Sequence, residues 1–184
     1  YHIISINGYL DFSISDKLPF GIELMKISDT HIDIESSFSK IATYKGNAFN
    51  AINTSEFREG ILLSISLEKI DKPIQILNFF SAADKKQVHY PRLLVLTNNG
   101  SSCSLINHFI FEDDKSHHLV NSVVEIELLK NSEMNYSVIQ QGSNKSNILE
   151  STAINQSSYS RLNYCSFTLD GKFTRNDIEI NLKD

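Results

Sequence analysis

The sequence has little cysteine, no tryptophan, no long apolar run and no excess of basic charge, and each lack closes off a class of protein. Two cysteines, Cys103 and Cys165, lie far apart in 184 residues. They exclude a disulfide framework and a self-contained zinc knuckle. No stretch approaches the roughly 20 apolar residues that span a bilayer as a helix, and "YHIISINGYLDF" has neither the basic nor the apolar region of a signal peptide. The formal net charge is -5, with acidic and basic residues interspersed, so no basic face points to nucleic acid or to an anionic membrane. Neither partner is expected, and a soluble cytoplasmic protein is. What remains is globular: 41% hydrophobic and 21% charged residues, enough for one domain with its own core.

From Ile61 onward, strand-like runs follow one another with polar turns between them. "ILLSISL" sets Ile61, Leu63, Ile65 and Leu67 on one face. "IQILNFF", "YPRLLVLT", "CSLINHFIF", "NSVVEIELL", "EMNYSVIQ", "NILESTAI", "YSRLNYCSFTL" and "DIEINL" follow, separated by pieces such as "TNNGSS", "LLKNSE", "QGSNKSN" and "LDGK". This beat without helical segments is an all-β signal. A sandwich needs hairpin turns, for which Asp170-Gly171 is the one good candidate. A solenoid of stacked coils tolerates the Ser- and Asn-rich corners found elsewhere, although no strict short repeat shows. The pattern leans to the solenoid.

Residues 1–60 read as a mixed cap rather than as a separate domain, and residues 61–184 as the β coils. A strand pair is expected around Asn7-Gly8. The best helix candidate is "YKGNAFNAINTSEFREG", with Asn47 as N-cap, Ala48, Ala51, Ile52 and Phe57 on its packing side and Gly60 as its stop. Near the C-terminus, Phe173 has the opposite parity to Ile178. Arg175, Asn176 and Asp177 are therefore expected to form a corner where the buried face is reset.

Candidate chemistry is sparse. Glu112, Asp113, Asp114, His117 and His118 cluster in "FEDDKSHHL", yet consecutive carboxylates and adjacent histidines point apart in an extended chain, and a solvated loop is expected. His89 and His108 read as packing residues within strands, and His2 and His31 have less context still. Glu125 and Glu127 share one strand face, as a glycosidase carboxylate pair would. They are expected instead to be the solvated side of an amphipathic strand, since without Trp no sugar platform accompanies them. Cys103 and Cys165 read as small buried hydrophobes. No nucleophile elbow, metalloprotease helix or phosphate loop occurs.

The C-terminal third carries a more specific pattern. Val124, Glu125 and Ile126 in one strand, Tyr136 and Gln140 in the next, Ser160 in a Ser-rich stretch, Phe167 closing on Gly171, and the step Arg175-Asn176-Asp177 together resemble the SufB/SufD family of iron-sulfur cluster assembly proteins. "INGYLDFSISDKLPFGI", "NAFNAINTSEFREGILLSI", "KPIQILNFF" and "YPRLLVLTNNGSS" extend the likeness forward, and the Asn-Gly opening and modest length favour the SufD branch. The resemblance implies an all-β, right-handed parallel β-helix with a short α/β N-terminal region. It also implies a non-enzymatic scaffold that works with a SufB-like paralogue and a SufC-like ATPase through regions beyond this chain.

The complex of that family assembles an iron-sulfur cluster, whose ligands are expected outside this segment. No catalytic, cofactor-binding or metal-binding residue is assigned here, and no cofactor is expected in the segment. A homodimer through an unpaired terminal strand is expected as well. The competing readings are a β-helix carbohydrate-active enzyme and a structural β-solenoid.

Overall fold

The computed structural model of the chain describes residues 1–30, 38–67, 69–81, 86–112 and 116–183. Among them the chain builds two facing sheets. The first takes β1 (His2–Ile6), β2 (Tyr9–Asp11), β5 (Ile74–Phe80), β8 (Ser102–Phe111), β10 (Glu133–Gln141) and β12 (Arg161–Asp170). The second takes β3 (Ile22–Lys26), β4 (Ile61–Ile65), β7 (Arg92–Thr97), β9 (His117–Leu128), β11 (Ser146–Gln156) and β13 (Phe173–Leu182), with β6 (Lys86–His89) also paired to β9.

From β8 onward the chain alternates between sheets, and each strand lies parallel and in register on the strand one coil earlier. Asn163 stands on Asn135, 28 residues before it, and Asn135 on Ser104, 31 before that. The architecture is a parallel β-solenoid of about three turns. Asp170-Gly171 is accordingly a corner between sheets and not a hairpin, because β12 pairs with β10 and β13 with β11.

The N-terminal part closes one end of the stack. β1 lies parallel to β5 and then turns back through Asn7 (φ 55°) and Gly8 (φ 89°), the two left-handed positions of a tight hairpin, into antiparallel β2. β3 covers β4 in the same antiparallel way. On the second sheet, Tyr90 and Pro91 divide β6 from β7, while β9 runs past both without a break. Proline has no amide hydrogen to give the ladder.

Period-two alternation fills the space between the sheets. Ile3, Ile76, Leu105, Tyr136 and Val138 come from the first sheet and meet Leu63, Val95, Val124, Ile126 and Ile154 from the second. Burying such side chains stabilises by about 1.5–3 kcal/mol each.

A repeat that the letters conceal lies at one row of corners. Ser101, Ser132 and Ser160 each turn a backbone N–H and a hydroxyl back to the carbonyl three residues earlier, on Asn98, Leu129 and Ser157. The residue before each serine, Gly100, Asn131 or Tyr159, has positive φ. Adjacent corners also bond to each other, Gly100 N–H to Lys130 and Asn131 N–H to Ser158.

The expected corner at Arg175-Asn176-Asp177 is not one. β13 is continuous from Phe173 to Leu182, and Asn176, Ile178 and Ile180 stack on Glu150, Thr152 and Ile154, all of which are inward. Parity never resets: Asn176 is a polar residue on the inward face, and Phe173 points out.

Candidate functional site

Polar chemistry concentrates in two places, one outside the second sheet and one between the sheets. Outside, Glu125 and Arg92 point away from the core from β9 and β7, yet both side chains are fully buried. The Glu125 carboxylate pairs with the Arg92 guanidinium and accepts from the backbone N–H groups of Ser39 (3.0 Å), Ile41 (3.1 Å) and Ala42 (3.0 Å). Arg92 also donates to Asn53 Oδ1 and Thr54 Oγ1, both at 3.1 Å, and lies 4.8 Å from the centre of the Phe38 ring. Burial pulls the guanidinium pKa below its usual range, and Glu125 opposes that pull.

The expectation of two solvated glutamates therefore fails at Glu125, which a segment from far earlier in the chain covers. Glu127 remains partly exposed, accepting from Asn155 (2.8 Å) and Lys183 (3.1 Å). A carboxylate committed to an arginine and three amides is not free for acid-base work at a sugar, so the pair does not make a glycosidase centre.

The helix α1 (Ala48–Glu56) belongs to the same cover. Asn47 caps it as expected, accepting from the amides of Phe49 and Asn50. Its packing face differs from the expected one. Asn50 and Asn53 are buried while Ile52 is 43% exposed. The helix lands on backbone carbonyls beside β7 and within β9, and the Asn53 amide donates to those of Pro91 (2.9 Å) and Asn121 (2.8 Å). A buried polar face is favoured where it satisfies backbone.

Between the sheets runs a polar column. Asn78 donates to Asn107 (2.7 Å), and Asn107 to the Tyr136 hydroxyl (3.2 Å). One step on, the Gln140 amide nitrogen donates to Glu150 Oε2 (2.6 Å) and Asn176 Oδ1 (2.8 Å). The Gln140 carbonyl oxygen accepts from Thr168 Oγ1 (2.9 Å) and Asn176 Nδ2 (3.2 Å). Thr152 Oγ1 donates to the second Glu150 oxygen at 3.3 Å. Burial raises the Glu150 carboxyl from 4.5 to about 7, against the bonds from Gln140 and Thr152. Tyr136 is raised well above its ordinary value, first by burial and then by the Glu150 charge. Sequence reasoning missed this column. Its signal was there, since Asn78, Asn107 and Tyr136 recur at 29-residue steps on inward parity.

The other candidates separate. His117 is exposed and His118 buried, as their adjacency predicts, while Asp113 and Asp114 lie outside the described residues, as does His31. His89 and His118 meet at 3.1 Å beside Phe80 and Phe111. Burial lowers the His89 pKa to about 4, so it stays neutral. The ring of His108 contacts Gln75 at 3.3 Å on the outer side of the first sheet, and His2 pairs with Asp16 near the surface. Cys103 is buried, and burial pushes its thiol up to about 12. Cys165 is exposed, contrary to expectation, because it takes the outward parity of β12. Among the described residues no three His, Cys, Asp or Glu side chains are placed to hold a metal ion.

A stack of parallel coils with a polar interior column and a strapped outer face defines a β-solenoid core. Residues 79–184 match the family model for the SUF system FeS cluster assembly, SufBD core domain. That match spans more than half of the chain, and the chain belongs to the SufBD family.

Over 117 residues the chain is 23% identical to "Protein ABCI7, chloroplastic" of Arabidopsis thaliana, covering 61% of this chain and 25% of that protein. Over 107 residues it is 26% identical to "Iron-sulfur cluster assembly SufBD family protein ycf24" of Trieres chinensis, covering 58% and 22%. The chain spans about a quarter of the length of these curated relatives.

Proposed function

We propose that this chain is the core of a SufD-like scaffold subunit, non-enzymatic in itself, that supports iron-sulfur cluster assembly with a SufB-like paralogue and a SufC-like ATPase. The observation that carries the reading is the coincidence of the family match with the stacked coils from Phe79 to the C-terminal strand. The cluster is cargo in this reading, and no residue of the segment is assigned as its ligand. Among the described residues no helix is long and apolar enough to cross a membrane, which fits the proposed cytoplasmic placement. The chloroplastic label of one relative makes the plastid stroma the alternative that cell fractionation would separate.

Affinity purification of the full-length protein from its source cell, with mass spectrometry of what co-elutes, tests the proposal. Recovery of a second SufBD-type subunit and an ABC-type ATPase supports it, and recovery of neither overturns it. The proposal extends to self-association. The outer edges of β12 and β13 have no strand partner among the described residues, and such edges invite pairing. Sedimentation velocity should show a dimer, and a strict monomer at high concentration removes that part.

A further inference from the structure

One polar layer crosses the coils on the inward faces of the two sheets. On the first sheet Ser5, Asn78, Phe109, Gln140 and Thr168 follow one another in register, and on the second Ser122, Glu150 and Asn176 do. Toward β12 and β13 the side chains of this layer are long and meet directly, as Gln140 does with Glu150, Asn176 and Thr168. Toward β1 they are serines, which reach less far.

Among the described residues no protein group is bonded to the hydroxyl of Ser5 or of Ser122, although the two residues are only 1% and 2% exposed. Asn78, beside Ser5 in the ladder, is committed on one side. Its amide nitrogen donates to Asn107 Oδ1 (2.7 Å) and to the His108 carbonyl (3.4 Å), which fixes the orientation of the amide and leaves Asn78 Oδ1 as a further acceptor.

These groups surround a small cavity between the sheets. Ser5, Asn78, Asn107 and Ser122 line it together with Ile76 and Phe109, and of its lining residues Gly8 alone is not buried. The cavity offers about 10 Å³ to the centre of a water molecule, close to the roughly 10–15 Å³ that one molecule requires. Pro91, on its wall, has no N–H to turn toward it.

We propose that this cavity is a binding site for one ordered water, held by Ser5 Oγ, Ser122 Oγ and Asn78 Oδ1, which does between the serines what the Gln140 side chain does further along the layer. A buried hydroxyl without a partner is costly, and a water settles in a protein core where about three polar groups converge on it. Here it donates to Asn78 Oδ1 and to one hydroxyl and accepts from the other. Size excludes a larger ligand. No carboxylate lines the cavity, so a metal cation finds no counter-charge in it. The bound water ties β1 to β9, a strand of the opposite sheet with which β1 shares no ladder. The inference stands apart from the SufD-like reading and holds or fails without it.

A crystal structure of the full-length protein, at a resolution that shows ordered water, tests the site. One density peak is expected within about 2.6–3.2 Å of the three oxygens. A cavity without that peak, or one that takes up xenon in pressurised crystals as dry cavities do, overturns the proposal. Ser5→Ala combined with Ser122→Ala leaves the water one of its three partners, and the peak should be lost. A peak that stays at full occupancy removes both hydroxyls as ligands and overturns the site as assigned. Should the double variant fail to fold, Ser122→Ala alone supplies the reading: the refined occupancy of the water should fall, and an unchanged occupancy overturns the proposal.

Discussion

The two outer faces of this solenoid are built from the same kind of strand and end up in opposite states. On the second sheet, Leu62 and Leu94 are buried beneath Ile27, Met25, Phe38 and Phe57, and Val123 and Ala153 beneath Ile41 and Ala42. On the first sheet, Leu77, Ile106, Ile110 and Ile139 stand only half-buried on the outward parity, and Ile6, Phe79 and Phe167 are exposed. The face that carries buried charge is roofed, and the face with an aliphatic ridge has no such roof among the described residues. Strand periodicity therefore reports which way a side chain points but not whether anything lies above it. Cover is decided by a distant segment, and here that segment is held by hydrogen bonds as much as by apolar contact.

The sharpest way to break the contrast is to remove the charge beneath the roof. Glu125→Gln leaves Arg92 buried without its partner and should cost about 3–5 kcal/mol, read as a fall in the urea midpoint, with exchange rising first across residues 38–57. Replacing both partners, as Arg92→Met with Glu125→Met, should recover little of that loss, because the Ser39, Ile41 and Ala42 amides that Glu125 satisfies are left without an acceptor. A loss below about 1 kcal/mol for Glu125→Gln would show that the roof is held elsewhere.

Asn53→Ala tests the helix end of the same roof. It leaves the Pro91 and Asn121 carbonyls, which Asn53 now satisfies at 2.9 and 2.8 Å, without that donor. The expected cost is about 2 kcal/mol, again by denaturant midpoint. A neutral result would mean that water replaces the amide there, and that α1 rests on its apolar contacts after all.

These sites also mark where the sequence could be read and where it could not. Alternation located the strands, Asn7-Gly8 announced a tight turn and Asn47 a helix cap, because each is a local steric or hydrogen-bonding rule. The solenoid was favoured by its Ser- and Asn-rich corners and specified by resemblance, since coil spacing drifts between 28 and 31 residues and hides the repeat. Glu125 looked solvated because its amide partners lie 83 to 86 residues earlier. Asn53 looked like the wet side of α1 because the Pro91 and Asn121 carbonyls it meets lie 38 and 68 residues later. Gln140 entered only as part of a family pattern, and its role as a junction needs Glu150, Thr168 and Asn176 at once.

The face without that roof should give the smallest response. Phe167 is 50% exposed and stacks on Ile139 at the outward parity of β12. Phe167→Thr exchanges an aromatic strand former for a β-branched one and removes about half of one aromatic side chain's burial, so the denaturant midpoint should move by about 1 kcal/mol or less. A much larger loss would mean that this ridge is covered in solution, and the contrast between the faces would then be one between two kinds of roof. A small loss of stability with a clear fall in co-purified subunits would instead assign the ridge to a partner. That outcome would explain why aliphatic and aromatic side chains persist at outward positions that neither the core nor the N-terminal segment uses.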